Sequence, residues 1–264
     1  MASSGSGYDL YASTFSPDGR IFQVEYATKA VENAGTVLGI KGSNGVVMGV
    51  AKPINHKMVV ATTGSYKRIH TCDQHIGMAS TGFFPDARVL VQRTVEEAAD
   101  WQEQYGGKIP PHALGDRLGT YMHYFTLHGS LRPFGAAAVM AGYDVDSKEC
   151  SLQLLEPNGA PYQYYGVATG KGKQAAKTEL EKLNLHKTPI PVDDAVKQIL
   201  RILHLLHQEQ KDAKPFEVEV SWICEASGWK HQPVPKDILK AAETWAKEQL
   251  EEEEEEEDEG MEEG

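Results

Sequence analysis

Phe15-Ser16-Pro17-Asp18-Gly19-Arg20-Ile21-Phe22-Gln23-Val24-Glu25-Tyr26-Ala27 is the stretch around which the chain is organised. It begins as a turn. In Ser16-Pro17-Asp18-Gly19 the proline has its φ already fixed, and the glycine is free to take a positive one. It continues as a short helix, because Val24, Ala27, Val31 and Ala34 recur at helical spacing and make one apolar stripe. Glu25 and Lys29 stand four apart in the favourable order on another face. A turn feeding a short amphipathic helix needs something to pack on. Either the helix covers the core of its own domain, or it packs against a neighbouring subunit.

The segment before this stretch, residues 1–14, is small and polar around Tyr8-Asp9-Leu10-Tyr11. It reads as a mobile terminus, or as a tail docked by its two tyrosines. After the stretch, Thr36–Lys41 and Val46–Val50 are apolar, β-branched runs joined by the hairpin signal Ser43-Asn44-Gly45. Met58–Thr62 and Ile76–Ser80 read as further strands, so about five strands precede any long helix. Pro85-Asp86 opens a helix in which Ala87, Leu90, Val91, Thr94, Val95, Ala98 and Trp101 keep a 3.6 period, and Gly106-Gly107 stops it. Pro110-Pro111 opens the next, with Leu114, Leu118, Tyr121, Met122 and Phe125 on one face.

Gly135–Gly142 is too short for a typical helix and reads as a buried strand. Leu152–Leu155 and Tyr162–Tyr165 flank the turn Pro157-Asn158-Gly159 as a second hairpin. Gly172–Leu185 reads as helix, and Val192, Ala195, Val196, Ile199, Leu200 and Leu203 mark another. Phe216–Trp222 alternates strictly, as a half-exposed strand does, and a last amphipathic helix runs from Pro235 to about Leu250. Pairs of helices set between antiparallel hairpins predict an α+β fold: two stacked sheets with helices on both outer faces. No linker interrupts residues 8–250, so residues 15–250 read as one domain, residues 1–14 as a tail and residues 251–264 as a disordered acidic tail.

The charge is as uneven as the pattern. The net charge is −12, but Glu251–Glu257, Asp258, Glu259, Glu262 and Glu263 supply eleven of those carboxylates, which leaves −12 + 11 = −1 for the rest. A nearly neutral body gives no argument for a nucleic-acid surface. The acidic run reads as a solvating tail, or as a contact for a basic partner. No window approaches eighteen uncharged apolar residues and no signal peptide opens the sequence, so no membrane span is expected. Cys72, Cys150 and Cys224 are far apart, which predicts buried thiols rather than disulfides or a zinc site, and a reducing cytosolic or nuclear compartment.

Few residues offer chemistry. Gly170-Lys171-Gly172-Lys173-Gln174-Ala175 fits a dinucleotide fingerprint on paper, but Pro189-Ile190-Pro191-Val192-Asp193 stands where a second strand ending in an acid should be. A glycine turn that lets a helix pack closely explains it without a cofactor, and none is expected. His204 and His207, and His123 and His128, lack a carboxylate or cysteine at ligand spacing, so no metal is expected.

The opening stretch, in order and without gaps, resembles the N-terminal signature of proteasome α-type subunits. Residues 67–73, Arg132-Pro133-Phe134-Gly135 and Gly170–Glu179 resemble later parts of the same family. Tyr8-Asp9-Leu10, Phe134, Ala175–Glu179, Val220-Ser221-Trp222 and the acidic end point to one subtype within it. The resemblance implies a four-layer αββα sandwich, the N-terminal nucleophile hydrolase fold. In the family's catalytic branch a threonine freed at its N-terminus uses its own amine as base. The family register places Gly35, not Thr36, at that nucleophile position, Ala51 at the partner carboxylate, and Lys67 or Arg68 at the lysine.

The resemblance therefore implies no catalytic residue and a structural and gating role in the 20S core. Seven such chains form each outer ring and stack on a ring of β subunits, and their N-terminal tails close the pore. Such a subunit takes part in ubiquitin-dependent and ubiquitin-independent protein degradation in cytoplasm and nucleus. Tyr8, Asp9, Pro17 and Tyr26 match residues that cluster in the family's open gate. Lys67 and Arg68 match the pocket between neighbours that accepts the C-terminal tails of regulatory particle ATPases or other activators. The rival readings are an active threonine peptidase and a free protein that binds through its acidic tail.

Overall fold

A short helix after the Pro-Gly turn leads into the first hairpin, and the rest of the chain wraps around that start. The computed structural model describes residues 7–54, 56, 58, 66–209 and 215–262. Helix α1 (Phe22–Glu32) is followed by strands β1 (Val37–Lys41), β2 (Gly45–Pro53), β3 (Ile69–Asp73) and β4 (Ile76–Gly82), then helices α2 (Phe84–Tyr105) and α3 (Pro111–Leu127). Next come β5 (Ala136–Asp144), β6 (Glu149–Leu155), β7 (Pro161–Gln163) and β8 (Gly166–Thr169), then α4 (Lys173–Lys182) and α5 (Val192–Gln208). Strands β9 (Phe216–Cys224) and β10 (Gln232–Pro233) and helix α6 (Lys236–Glu262) end it. The expected strand at Met58–Thr62 lies outside the described residues apart from Met58, which sits in a turn.

The strands make two antiparallel five-stranded sheets, ordered β10-β9-β2-β1-β8 and β3-β4-β5-β6-β7. Three apolar layers hold them. Val37, Val46, Met48, Val139, Leu152 and Ile223 fill the space between the sheets. Leu90, Leu114, Leu118, Met122 and Met140 join α2 and α3 to the outer face of the second sheet. Leu38, Ile40, Val196, Ile199, Leu200 and Trp222 join the later helices to the outer face of the first. The arrangement is the α+β αββα sandwich that both the element order and the resemblance predict. Burial of each large aliphatic side chain contributes ~1.5–3 kcal/mol before the entropy of ordering the chain is set against it.

Local chemistry explains the boundaries. Gly106 ends α2 with φ +71°, where its amide bonds the Gln102 carbonyl. The Asn44 side chain of the first hairpin turn accepts the Val192 amide at 2.9 Å, so one turn also caps the start of α5.

Five expectations change. Ala34 lies past the end of α1, and Glu25 pairs with Arg20 while Lys29 pairs with Glu32, so the expected Glu25–Lys29 pair does not form. The run at Tyr162–Tyr165 is split, because β7 stays in the second sheet and β8 crosses to pair with β1 in the first. Strand β9 lies between β10 and β2, and its last five residues are buried on both faces. Finally, α6 continues through Glu262, so the acidic run from Glu251, expected to be disordered, is helical as far as it is described. Glutamate is a good helix former, the packed turns before it have already nucleated the helix, and Arg201 holds Glu253 at 2.9 Å.

Candidate functional site

The N-terminal segment folds onto α1. Ser16 and Arg20 close the turn through reciprocal bonds, Ser16 N–H to the Arg20 carbonyl at 2.9 Å and Arg20 N–H to the Ser16 hydroxyl at 2.9 Å. Ser16 also donates to Asp18 at 2.5 Å, which lowers that carboxyl below its ordinary range. On the exposed side of α1, the Tyr26 hydroxyl donates to an Asp9 carboxylate oxygen at 3.4 Å. Desolvation, with the charge of Asp9 behind it, raises the Tyr26 phenol above its usual value. Of the four expected gate residues, then, Asp9 and Tyr26 meet. Tyr8 and Pro17 are exposed, and Tyr8 has no hydrogen-bond partner among the described residues. Nothing in the sequence pattern marks Gln23, yet its side-chain amide donates to the Asp9 carbonyl at 2.5 Å and fixes the tail one turn before Tyr26.

The position where the family's nucleophile would stand is closed. A Cβ on Gly35 would lie 2.3 Å from the Ala51 carbonyl oxygen, a distance no side chain tolerates. Thr36 directly precedes β1. Its carbonyl accepts the Ala51 amide at 2.9 Å, and its hydroxyl donates to the Lys171 carbonyl. Its nitrogen is a peptide nitrogen and is no base. The glycine turn before α4 serves this packing: a Cβ on Gly170, which has φ +96°, would stand 2.3 Å from the Gly35 carbonyl.

The two cations differ sharply. The Arg68 guanidinium stacks over the Phe84 ring at 4.7 Å, and burial lowers its pKa. Its amide and that of Ile69 both donate to one Glu219 oxygen, each at 3.0 Å. Lys67 is exposed, and its amine has no partner among the described residues. Behind them lies a cluster that no sequence motif announces. Buried Lys52 holds Glu219 at 2.7 Å and Glu217 at 3.5 Å. The strict alternation of Glu217 and Glu219, which reads as a solvent face, was the available signal. Among the described residues, no group of three or more His, Cys, Asp or Glu gathers as a metal site.

Comparison with known proteins adds to this geometry. Residues 31–223 match the proteasome family model, and residues 8–30 match the N-terminal signature of the A-type chains of that family. Proteasome subunit alpha type-3 of Arabidopsis thaliana is 50% identical over 252 residues, covering 96% of this chain and 98% of that protein. The protein of the same name from Dictyostelium discoideum is 46% identical, covering 96% of this chain and 99% of that one. Probable proteasome subunit alpha type-7 of Schizosaccharomyces pombe is 44% identical over 247 residues, covering 94% of each chain.

Proposed function

The chain belongs to the proteasome subunit family as an α-type member of the 20S core, and from that premise we propose that it is a non-catalytic structural and gating subunit of the outer ring. The observation that carries the reading is the closed nucleophile position. Gly35 has no room for a side chain, and the residues before it form an ordered turn and helix rather than a leader to be cut away. Its neighbours are other α subunits and, across the ring face, β subunits. The seventh ring position fits the subtype resemblance, as do the alpha type-3 and alpha type-7 names of its relatives. Through the core it takes part in ubiquitin-dependent and ubiquitin-independent protein degradation, in cytoplasm and nucleus.

At the gate, Asp9 and Tyr26 form the intramolecular half of a hydrogen-bonded ring, and Tyr8 and Pro17 are presented for the neighbouring subunit's half. At the activator pocket, Lys67 is the group that meets a chain-end carboxylate, since its side chain is exposed while that of Arg68 lies half-buried against Phe84. Native mass spectrometry of the chain recovered from cell extract tests the reading. A particle that contains other α and β types, with this chain at full mass, supports it. A chain cut before Thr36 would point to an autoprocessed peptidase, and a monomer or a complex without β subunits to a different use of the fold.

A further inference from the structure

Lys52 is the one lysine in the described body whose side chain is only 4% exposed, and its partner Glu219 also binds the backbone next to the exposed Lys67. Its ammonium contacts Glu219 at 2.7 Å and Glu217 at 3.5 Å and stands 5.3 Å from the centre of the Tyr66 ring. The Tyr66 hydroxyl in turn donates to the Pro53 carbonyl at 2.6 Å. The second oxygen of Glu219 takes two successive backbone amides, of Arg68 and Ile69, each at 3.0 Å. In an extended strand successive amides point in opposite directions. Two that converge on one oxygen form a concave anion-binding turn at the point where β3 begins, Ile69.

The Arg68 peptide is fixed from the other side as well. Its carbonyl accepts the Ser80 amide at 2.9 Å, and its guanidinium stacks on Phe84. Residue 68 is thus immobilised at its amide, carbonyl and side chain, and the direction in which Lys67 leaves the turn is set. Glu219 belongs to a strand of one sheet, and the amides stand at the start of the edge strand of the other, so the carboxylate also ties the two sheets together here. Lys52 neutralises Glu219, which would otherwise weaken the attraction of Lys67 for an anion.

We infer that Glu219, supported by Lys52, is the positioning residue of the activator pocket: it holds the turn that aims Lys67 at the carboxylate ending a bound chain. This rests on the pocket reading of Lys67. The recognised chemistry is a free C-terminal carboxylate on an extended peptide.

The test uses assembled core particles and a photoreactive synthetic peptide, prepared with a free C-terminal carboxylate and as its amide. The readout is label on this chain. In the wild type the carboxylate form labels more strongly, and Lys67→Ala removes the difference. Glu219→Ala lowers labelling by the carboxylate form about tenfold, as the loss of an oriented charged hydrogen bond does. Glu219→Gln, which keeps an acceptor oxygen for the two amides, retains part of it. Full labelling in Glu219→Ala, with labelling lost in Lys67→Ala, overturns the positioning role and leaves the pocket intact. No effect of Lys67→Ala, or equal labelling by both peptide forms in the wild type, overturns the pocket reading and this inference with it. Should Glu219→Ala not assemble, hydrogen exchange of the Glu219→Gln particle decides. Faster exchange at Arg68 and Ile69 supports the role, and exchange unchanged from the wild type overturns it.

Discussion

Gly35 is held by backbone on two sides, since added Cβ atoms on Gly35 and on Gly170 would strike the Ala51 and Gly35 carbonyls, each at 2.3 Å. Gly35→Ala must therefore push strands apart. It is expected to cost ~1–3 kcal/mol, read as an earlier thermal unfolding transition. Asp86 makes a second prediction. Burial pushes its carboxyl up, but bonds from Arg132 at 2.6 and 2.8 Å and from the Gly135 amide at 2.9 Å outweigh it and leave the pKa below the ordinary 3.8. A lowered folded-state pKa gives stability that is fully present above the ordinary value and is lost as pH falls through the folded one. Asp86→Asn should thus be less stable by about 1.5 kcal/mol at neutral pH, a low figure for a charged bond because Arg132 faces solvent. The gap should start to narrow below about pH 4 in urea unfolding and close only as pH falls past the lowered pKa, and a gap independent of pH would refute the assignment. Residues of this kind were only partly legible. The motif Arg132-Pro133-Phe134-Gly135 was visible in the sequence, but its partner Asp86 stands on another element, and nothing local couples them.

Among the elements, periodicity served best where one face alone is buried. Helix α5 keeps Val192, Ala195, Val196, Ile199, Leu200 and Leu203 buried, as the spacing predicts. It failed where partners are distant in sequence. The alternation of β9 reads as one wet face, but its two glutamates pair with Lys52 on β2, a contact that only the sheet register creates. Composition failed for α6 in a similar way. An acidic run has no apolar face with which to fold alone, yet here it extends a helix already anchored by Ala246 and Leu250. Arg201 joins the two parts, with bonds to Glu253 at 2.9 Å and to Glu179 of α4 at 2.9 Å. Arg201→Met should therefore release the first turn of the acidic run. The expected sign is faster amide hydrogen exchange at residues 251–255 while α5 keeps its protection, because Met preserves the apolar stem. Unchanged exchange there would mean that intrinsic helix propensity alone sustains the run.

At the scale of the whole molecule the layers follow from element order, because two hairpin groups separated by helix pairs have few other ways to bury both sheet faces. The position of the N-terminal segment has a different origin. It is only partly packed: Ala12 is buried, but Leu10 is 71% and Phe15 65% exposed, and Gln23 and Tyr26 supply its side-chain hydrogen bonds to α1. Its first residues, ahead of Ala12, are tied to α1 by two side-chain hydrogen bonds, one of them 3.4 Å long, and such a contact opens locally at little cost. Tyr8 contributes a hydroxyl that finds no partner within the described chain, and in an assembled ring it is available to a neighbour. If the gate is shared between subunits, Tyr8→Phe removes one inter-subunit bond, worth about 1 kcal/mol, and shifts the balance of open and closed pores by roughly fivefold at most. Removing residues 1–14 takes away the tail itself and should act more strongly. Small fluorogenic peptides hydrolysed by latent core particles report pore access without unfolding or ubiquitin steps. The truncated particle should hydrolyse them faster than the wild type with unchanged KM. Tyr8→Phe should instead reduce the stimulation produced by an activator, since the hydroxyl is assigned to the open arrangement. Rates identical to the wild type in both particles would leave this chain a structural member of the ring whose tail has no share in the gate.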